Sequence, residues 1–218
     1  MNKHFRVSAG TFKRLEELGV SAGAVLRRAG LPQECAKEPR TLLKTEELFA
    51  LWRAIAEVSN DPAIGLPLGA ETKIERFHPI GVAALSAENF GEAIAQMARY
   101  KQVTCPEEIV HQRDRKEWSI EFHWLLGNEV EPPVLIECAF SWVLSTARVG
   151  TGTRISPVRV EFVQPREHIK KIERHFGCSV LCGSSRNAIV FRTTDAELPF
   201  VTWNAELLAV LAPQLRES

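Results

Sequence analysis

The residues of this chain best suited to chemistry are its thiols and imidazoles, which fall in two groups. His175, Cys178 and Cys182 lie in one short stretch and are soft-metal ligand types. A zinc site usually joins one closely spaced cysteine pair to a second, and no second pair occurs here. Cys178 and Cys182 flank Val180 and Leu181, so a buried strand would turn both thiols toward one apolar face, as small hydrophobes. In the other group, Cys105 is a candidate nucleophile with His111 or His123 as its base. A reactive thiol needs something to lower its pKa, such as a helix N-terminus. Pro106 follows Cys105 and reads as a loop with no oxyanion-hole signature. No P-loop, dinucleotide fingerprint, nucleophile elbow or HExxH motif is present. The expectation is no catalytic set, no metal and no cofactor.

Residues suited to recognition are more numerous. Trp118, Phe122 and Trp124 alternate on one strand face and could meet Phe140 and Trp142 from an apolar helix. Phe77, His78 and Tyr100 bracket the preceding helical stretch, and Arg99, Lys101 and His123 are placed to orient an anion. Aromatic walls with a few polar groups are how small-molecule cavities are built, although periodic aromatics also make a plain core. The ligand-binding set expected on this ground is Phe77, His78, Arg99, Tyr100, Trp118, Phe122, Trp124 and Trp142. Arg166, Lys170, Lys171 and Arg174 recur at helical spacing with Glu167 and Glu173 interleaved, which reads as a solvated helix face. Leu15 to Arg28 has the outline of a helix-turn-helix. Its second helix offers only Arg27 and Arg28 to DNA and no Gln, Asn or Thr for base edges, so packing of two short helices is the better reading.

The elements that must position these groups change period along the chain. Ser8, Ser21, Thr45 and Asp61-Pro62 open helices, with Gly19, Gly30 and Gly65 or Gly69 as stops. Asn89 and Glu92 suit a capping box for a helix bearing Phe90, Ile94, Met97 and Ala98. Beyond Tyr100, Trp118 to Trp124 reads as a half-buried strand, paired with Glu107 to Arg113 through a turn at Asp114 to Lys116. Pro132-Pro133 starts an apolar helix through Ala147, and Val158 to Phe162 is a strand. Glu167 to Phe176 is an exposed helix, and Ile189 with Phe191 marks a last strand. A final helix from Trp203 to Leu211 ends at Pro213. The fold class predicted is α+β: a helical N-terminal half, then a mainly antiparallel sheet covered by helices on one face. One domain is expected over 1–212, with a helical half at 1–103, an α+β half at 104–212 and the softest boundary at 69–77.

The 218 residues carry 27 Lys+Arg against 27 Asp+Glu, and 45% are hydrophobic, which excludes disorder and argues against a whole-domain nucleic-acid binder. The start, Met1 to Arg6, lacks an apolar signal region, and Val134 to Val149 is too short and too polar to span a bilayer. Five scattered cysteines fit reduced thiols in a cytoplasmic setting with no membrane partner.

Several stretches, in order, carry a family likeness. They are Asp61 to Gly69, Gly81 to Ile94 with Ala98-Arg99-Tyr100, Val158 to Phe162 with Pro165, Phe176-Gly177-Cys178, Asn187 to Phe191, Leu198-Pro199 and Asn204 to Leu207. The chain resembles, from about Val7 to Leu211, the N-terminal effector domain of AraC/XylS-type transcription regulators, in the arabinose-binding-like branch that includes ornithine- and arginine-responsive activators. The resemblance implies a cytoplasmic, homodimeric sensor of a small-molecule effector. It also implies contact with DNA and RNA polymerase only through an attached helix-turn-helix domain of about a hundred residues. On that reading 213–218 begin the linker to a domain this sequence lacks, and no ligand-contacting residue transfers by position. Trp203, Leu207, Leu208 and Leu211 of the final helix are then expected to form a dimer or relay surface. The alternative is a small-molecule-binding protein or a thiol-dependent enzyme using the same aromatic cavity.

Overall fold

The structure, a computed structural model, describes residues 3–71 and 79–216. Phe77 and His78, with most of the expected boundary loop, lie outside the described residues.

The N-terminal half contains β1 (Phe5–Ser8), α1 (Ala9–Glu17), α2 (Ala22–Ala29), β2 (Arg40–Leu43) and α3 (Thr45–Ser59). Local chemistry sets the helix starts. Ser21 Oγ accepts from the Ala24 N–H at 3.3 Å, and the Glu47 carboxylate accepts from the Lys44 N–H at 2.8 Å, each satisfying a donor that the first turn leaves unpaired. The sequence pattern predicts neither β1 nor β2. They pair antiparallel from Phe5 opposite Leu43 to Ser8 opposite Arg40, a ladder between segments too short and too distant to show a period.

Asp61 Oδ1 accepts from the Ala63 N–H at 2.9 Å, making a turn, so α4 (Gly65–Gly69) starts later than Pro62. Its glycines are required by contact: a Cβ on Gly65 would strike the Val134 carbonyl, and one on Gly69 the Cys138 carbonyl. Both carbonyls belong to α7 (Pro133–Thr151), so α4 lies backbone to backbone on that helix.

The second half holds α5 (Pro79–Leu85), α6 (Phe90–Thr104), β3 (Glu107–Arg113), β4 (Glu117–Trp124), β5 (Arg159–Phe162), α8 (Ile169–Phe176), β6 (Ser179–Cys182) and β7 (Ala188–Arg192). Asn89 Oδ1 caps α6 by accepting from the Glu92 N–H at 2.9 Å. Asp114 Oδ1 fixes the β3–β4 turn by accepting from the Lys116 and Glu117 N–H groups at 2.7 Å. The strands form one sheet in the order β3-β4-β7-β5-β6. Three pairings are antiparallel. The fourth, β5 with β6, is parallel, joined by α8 as parallel strands require.

Trp118, Ile120 and Phe122 from β4, with Val160, Phe162, Ile189 and Phe191, point into a cluster with Phe90, Met97, Phe140 and Phe176. The opposite face of the sheet carries charge. Arg159 donates to both Glu117 oxygens at 2.6 and 2.9 Å and to Glu161 at 2.7 Å, and Arg186 bridges Glu161 and Glu121 at 3.0 and 2.7 Å. A second apolar cluster unites α1–α3 with Val134 and Leu135, so α7 belongs to both.

The final helix, α9 (Ala205–Arg216), runs through Pro213 instead of ending there. Inside a helix a proline removes the hydrogen bond to the carbonyl four residues back, here that of the exposed Ala209, and its ring crowds that carbonyl.

Candidate functional site

Pro133 at the first turn starts α7 without wasting a donor, since that N–H has no helical partner. Polar side chains then recur along one flank of an otherwise apolar helix. Glu137 is fully buried and stands 3.0 Å from Arg166 Nε and 3.2 Å from His168 Nε2. Ser141 Oγ donates to the Leu66 carbonyl at 2.7 Å and meets His175 Nε2 at 2.8 Å. Ser145 Oγ bonds the Glu71 carbonyl.

Arg166 departs from expectation: it precedes α8, and its side chain is 2% exposed, not part of a solvated face. Its Nε lies out of line for a hydrogen bond to Glu137, so charge holds that pair, while Nη1 donates to the Gln164 and Pro165 carbonyls. Burial pulls Arg166 below its usual pKa, and Glu137 partly restores it. Burial, helped by the charge of Arg148, lowers His175 to about 4, so the imidazole facing Ser141 is neutral.

The expected ligand residues separate into three places. Trp142 has the Lys101 ammonium 5.8 Å from its ring centre. Trp124 stacks with Phe122 at 6.4 Å and meets Phe49 edge-on at 6.1 Å, touching both apolar clusters. Trp118, fully buried at the far end of β4, packs instead on Phe90, with Phe191 and the Arg113 guanidinium beside it. Tyr100 is buried in the main cluster, and Arg99 is exposed on α6. Phe77 and His78 lie outside the described residues.

Around Lys101 the thiols are held protonated. Lys101 Nζ lies 2.5 Å from Glu107 Oε2. Burial alone would lower the ammonium, but the Glu107 carboxylate overrides it and keeps Lys101 above its usual pKa. Cys105 Sγ is 3.8 Å from the same carboxylate, and burial raises its pKa even though Lys101 acts the other way. Burial pushes Cys138 up to about 12. His123 points to the outer sheet face, 3.4 Å from Glu121, and His111 packs against Trp118. These surroundings oppose thiolate chemistry at Cys105.

Cys178 and Cys182 do not sit on a buried strand, as the sequence suggests. They flank and end β6, an edge strand whose Leu181 is 46% exposed. Leu181 stands opposite Glu161, on the sheet face that carries the ion pairs, while Val180 turns to the core. Burial raises Cys178 to about 11. Among the described residues no cluster of three His, Cys, Asp or Glu could hold a metal.

A concavity of about 610 Å³ lies where α7 ends, between the loop to β5, the turn before β6 and the end of β7. Arg154, Ser156, Cys178 and Arg192 line it with the apolar Ile155 and Leu198. No sequence signal marks these residues, because they come from separate loops. Leu198 leads into α9, whose Leu208 and Leu211 pack on the main cluster. Trp203 just ahead of α9, and Leu207 on it, are 57% and 38% exposed, next to exposed Val201 and Val210.

A sheet backed by helices on one face and carrying ion pairs on the other makes this an α+β domain. The chain belongs to the family described as the arabinose-binding domain of AraC transcription regulators, N-terminal, matched over residues 19–200. Its fold is similar to the crystal structure of the transcriptional regulator CdpR from Pseudomonas aeruginosa, with a TM-score of 0.63 and 16% identity. That similarity covers 93% of this chain and 61% of the other, so this chain spans under two thirds of that regulator's length. No curated protein matches the sequence. No helix among the described residues is long and apolar enough to cross a membrane.

Proposed function

We propose that this chain is the effector-sensing and dimerisation domain of an AraC-type transcription activator. It works in the cytoplasm and controls an attached helix-turn-helix domain that makes the contacts with DNA and RNA polymerase. The observation that carries the reading is family membership across residues 19–200. Arg28 supports it by pairing with Glu57 while Val25 and Leu26 are fully buried, which leaves α2 unlike a DNA-reading helix. The protonated state of Cys105 and Cys138 weighs against a thiol enzyme.

In this reading the outer face formed by Val201, Trp203, Leu207 and Val210 is the dimer seam. Apolar residues left exposed at the start of α9 and on the segment before it fit a second copy of the same patch. An effector that prefers one arrangement of the two copies by about a hundredfold shifts the balance by about 2.7 kcal/mol. Sedimentation velocity on Leu207→Asp with Val210→Asp tests the seam: the variant should run as a monomer at concentrations where the parent is dimeric. An unchanged dimer removes the seam. Effector-dependent transcription by the whole regulator tests the sensor role, and a regulator that ignores every candidate metabolite overturns it.

A further inference from the structure

The concavity at the end of α7 differs from its surroundings in charge. Arg154 has no ion-pair or hydrogen-bond partner among the described residues. Arg148, just behind the wall, donates its Nε to the Ile155 carbonyl at 3.0 Å and pairs with no carboxylate there. Burial, with a smaller contribution from the Arg154 charge, lowers the pKa of Arg148. On the far wall Arg192 is opposed by Asp195 alone, at 4.0 Å, and Asp195 Oδ2 also accepts the Arg192 N–H at 3.0 Å. Arg154 and Arg192, both exposed, thus line the recess with Asp195 as the one carboxylate in its lining, in a chain whose total charges balance. Elsewhere Arg159, Arg186 and Arg113 each have a carboxylate within 3.0 Å.

We propose that this concavity is the effector site and takes a small anion, a carboxylate or a phosphate monoester on a short apolar body; this rests on the sensor reading above. The planar guanidinium fork matches both headgroups, and Ile155 with Leu198 supplies the apolar contact. A volume of about 610 Å³ is of the size that holds one small molecule. The position also reaches the dimer face. The Leu198 carbonyl accepts from the Phe90 N–H at 3.1 Å, and the Val201 N–H donates to the Gly150 carbonyl at 2.7 Å. A ligand pressing on Leu198 therefore loads the segment tied to α6 and α7 that leads into α9.

The test is an NMR titration of this chain with hexanoate and, separately, phenyl phosphate. Binding of either should move the amide signals of Ile155, Cys178, Ser179 and Leu198, and the headgroup that binds names the chemistry. Arg154→Gln and Arg192→Gln should each weaken binding about tenfold, while Arg27→Gln on exposed α2 should not. The site is overturned if neither probe moves those signals, or if both arginine variants bind like the parent. A metabolite that stabilises the chain but is indifferent to Arg154 and Arg192 leaves the sensor reading standing and removes this site. Probes that bind here in a regulator that answers to no candidate metabolite leave an anion site and remove both the sensor reading and the effector role given to the site.

Discussion

Glu137 and Arg166 meet under α7 with 0% and 2% of their side chains exposed, whereas Glu117 and Arg159 meet on the outer sheet face at 38% and 23%. The residue types are the same, and the outer pair has the better geometry, with two parallel hydrogen bonds against none. Water reverses their importance. On the outer face it solvates whatever a mutation leaves behind, so the pair contributes little. Under α7 nothing replaces a lost partner, and the remaining charge is stranded. Geometry describes a pair, but burial decides what losing half of it does.

The largest effect should come from Glu137→Leu, which leaves Arg166 buried without its counter-charge. Urea unfolding should show a loss of about 3–5 kcal/mol, and a loss under 1 kcal/mol would mean water reaches Arg166. Adding Arg166→Met to Glu137→Leu removes both charges. The double variant should regain most of that stability, because an apolar pair of similar size often matches a buried ion pair.

A smaller, pH-dependent effect belongs to His175. Its folded pKa of about 4 lies below the usual 6.5, so the unfolded chain binds the extra proton. The resulting stability is fully present above pH 6.5 and is lost as pH falls toward 4. His175→Gln should flatten that part of the stability–pH curve, and an unchanged slope would show that the imidazole is already solvated. The smallest effect is Arg159→Gln on the outer face, expected within about 1 kcal/mol and fading at high salt. A larger loss would show that the ladder across β4 and β5 acts as one unit.

Much of the fold is legible locally. Asn89, Asp114 and Pro133 signal their own elements, since each satisfies or omits a backbone group within a few residues. β1, β2 and β6 are not legible. Each is four residues long and gains its hydrogen bonds from a distant or parallel partner. The continuation of α9 past Pro213 overrides proline's usual role as a helix stop, which no spacing records. The site divides in the same way. Aromatic alternation marks Trp118, Phe122 and Trp124 as inward-facing but does not show that Trp118 and Trp124 serve different neighbourhoods. Arg166 reads as surface because its spacing mimics α8, and only the fold reveals Glu137 opposite it. Arg154 and Arg192 line one recess because the loop after α7 and the end of β7 converge there.

Nineteen residues make α7 a rod of about 28 Å. Gly65 and Gly69 bring α4 into backbone contact along the rod's first half, and Ser141 and Ser145 add bonds to the Leu66 and Glu71 carbonyls. At the far end the Gly150 carbonyl holds Val201, just ahead of α9. In mechanical terms the helix is a beam clamped along its length, so the N-terminal half and the ground on which α9 stands are fixed to the same rigid member.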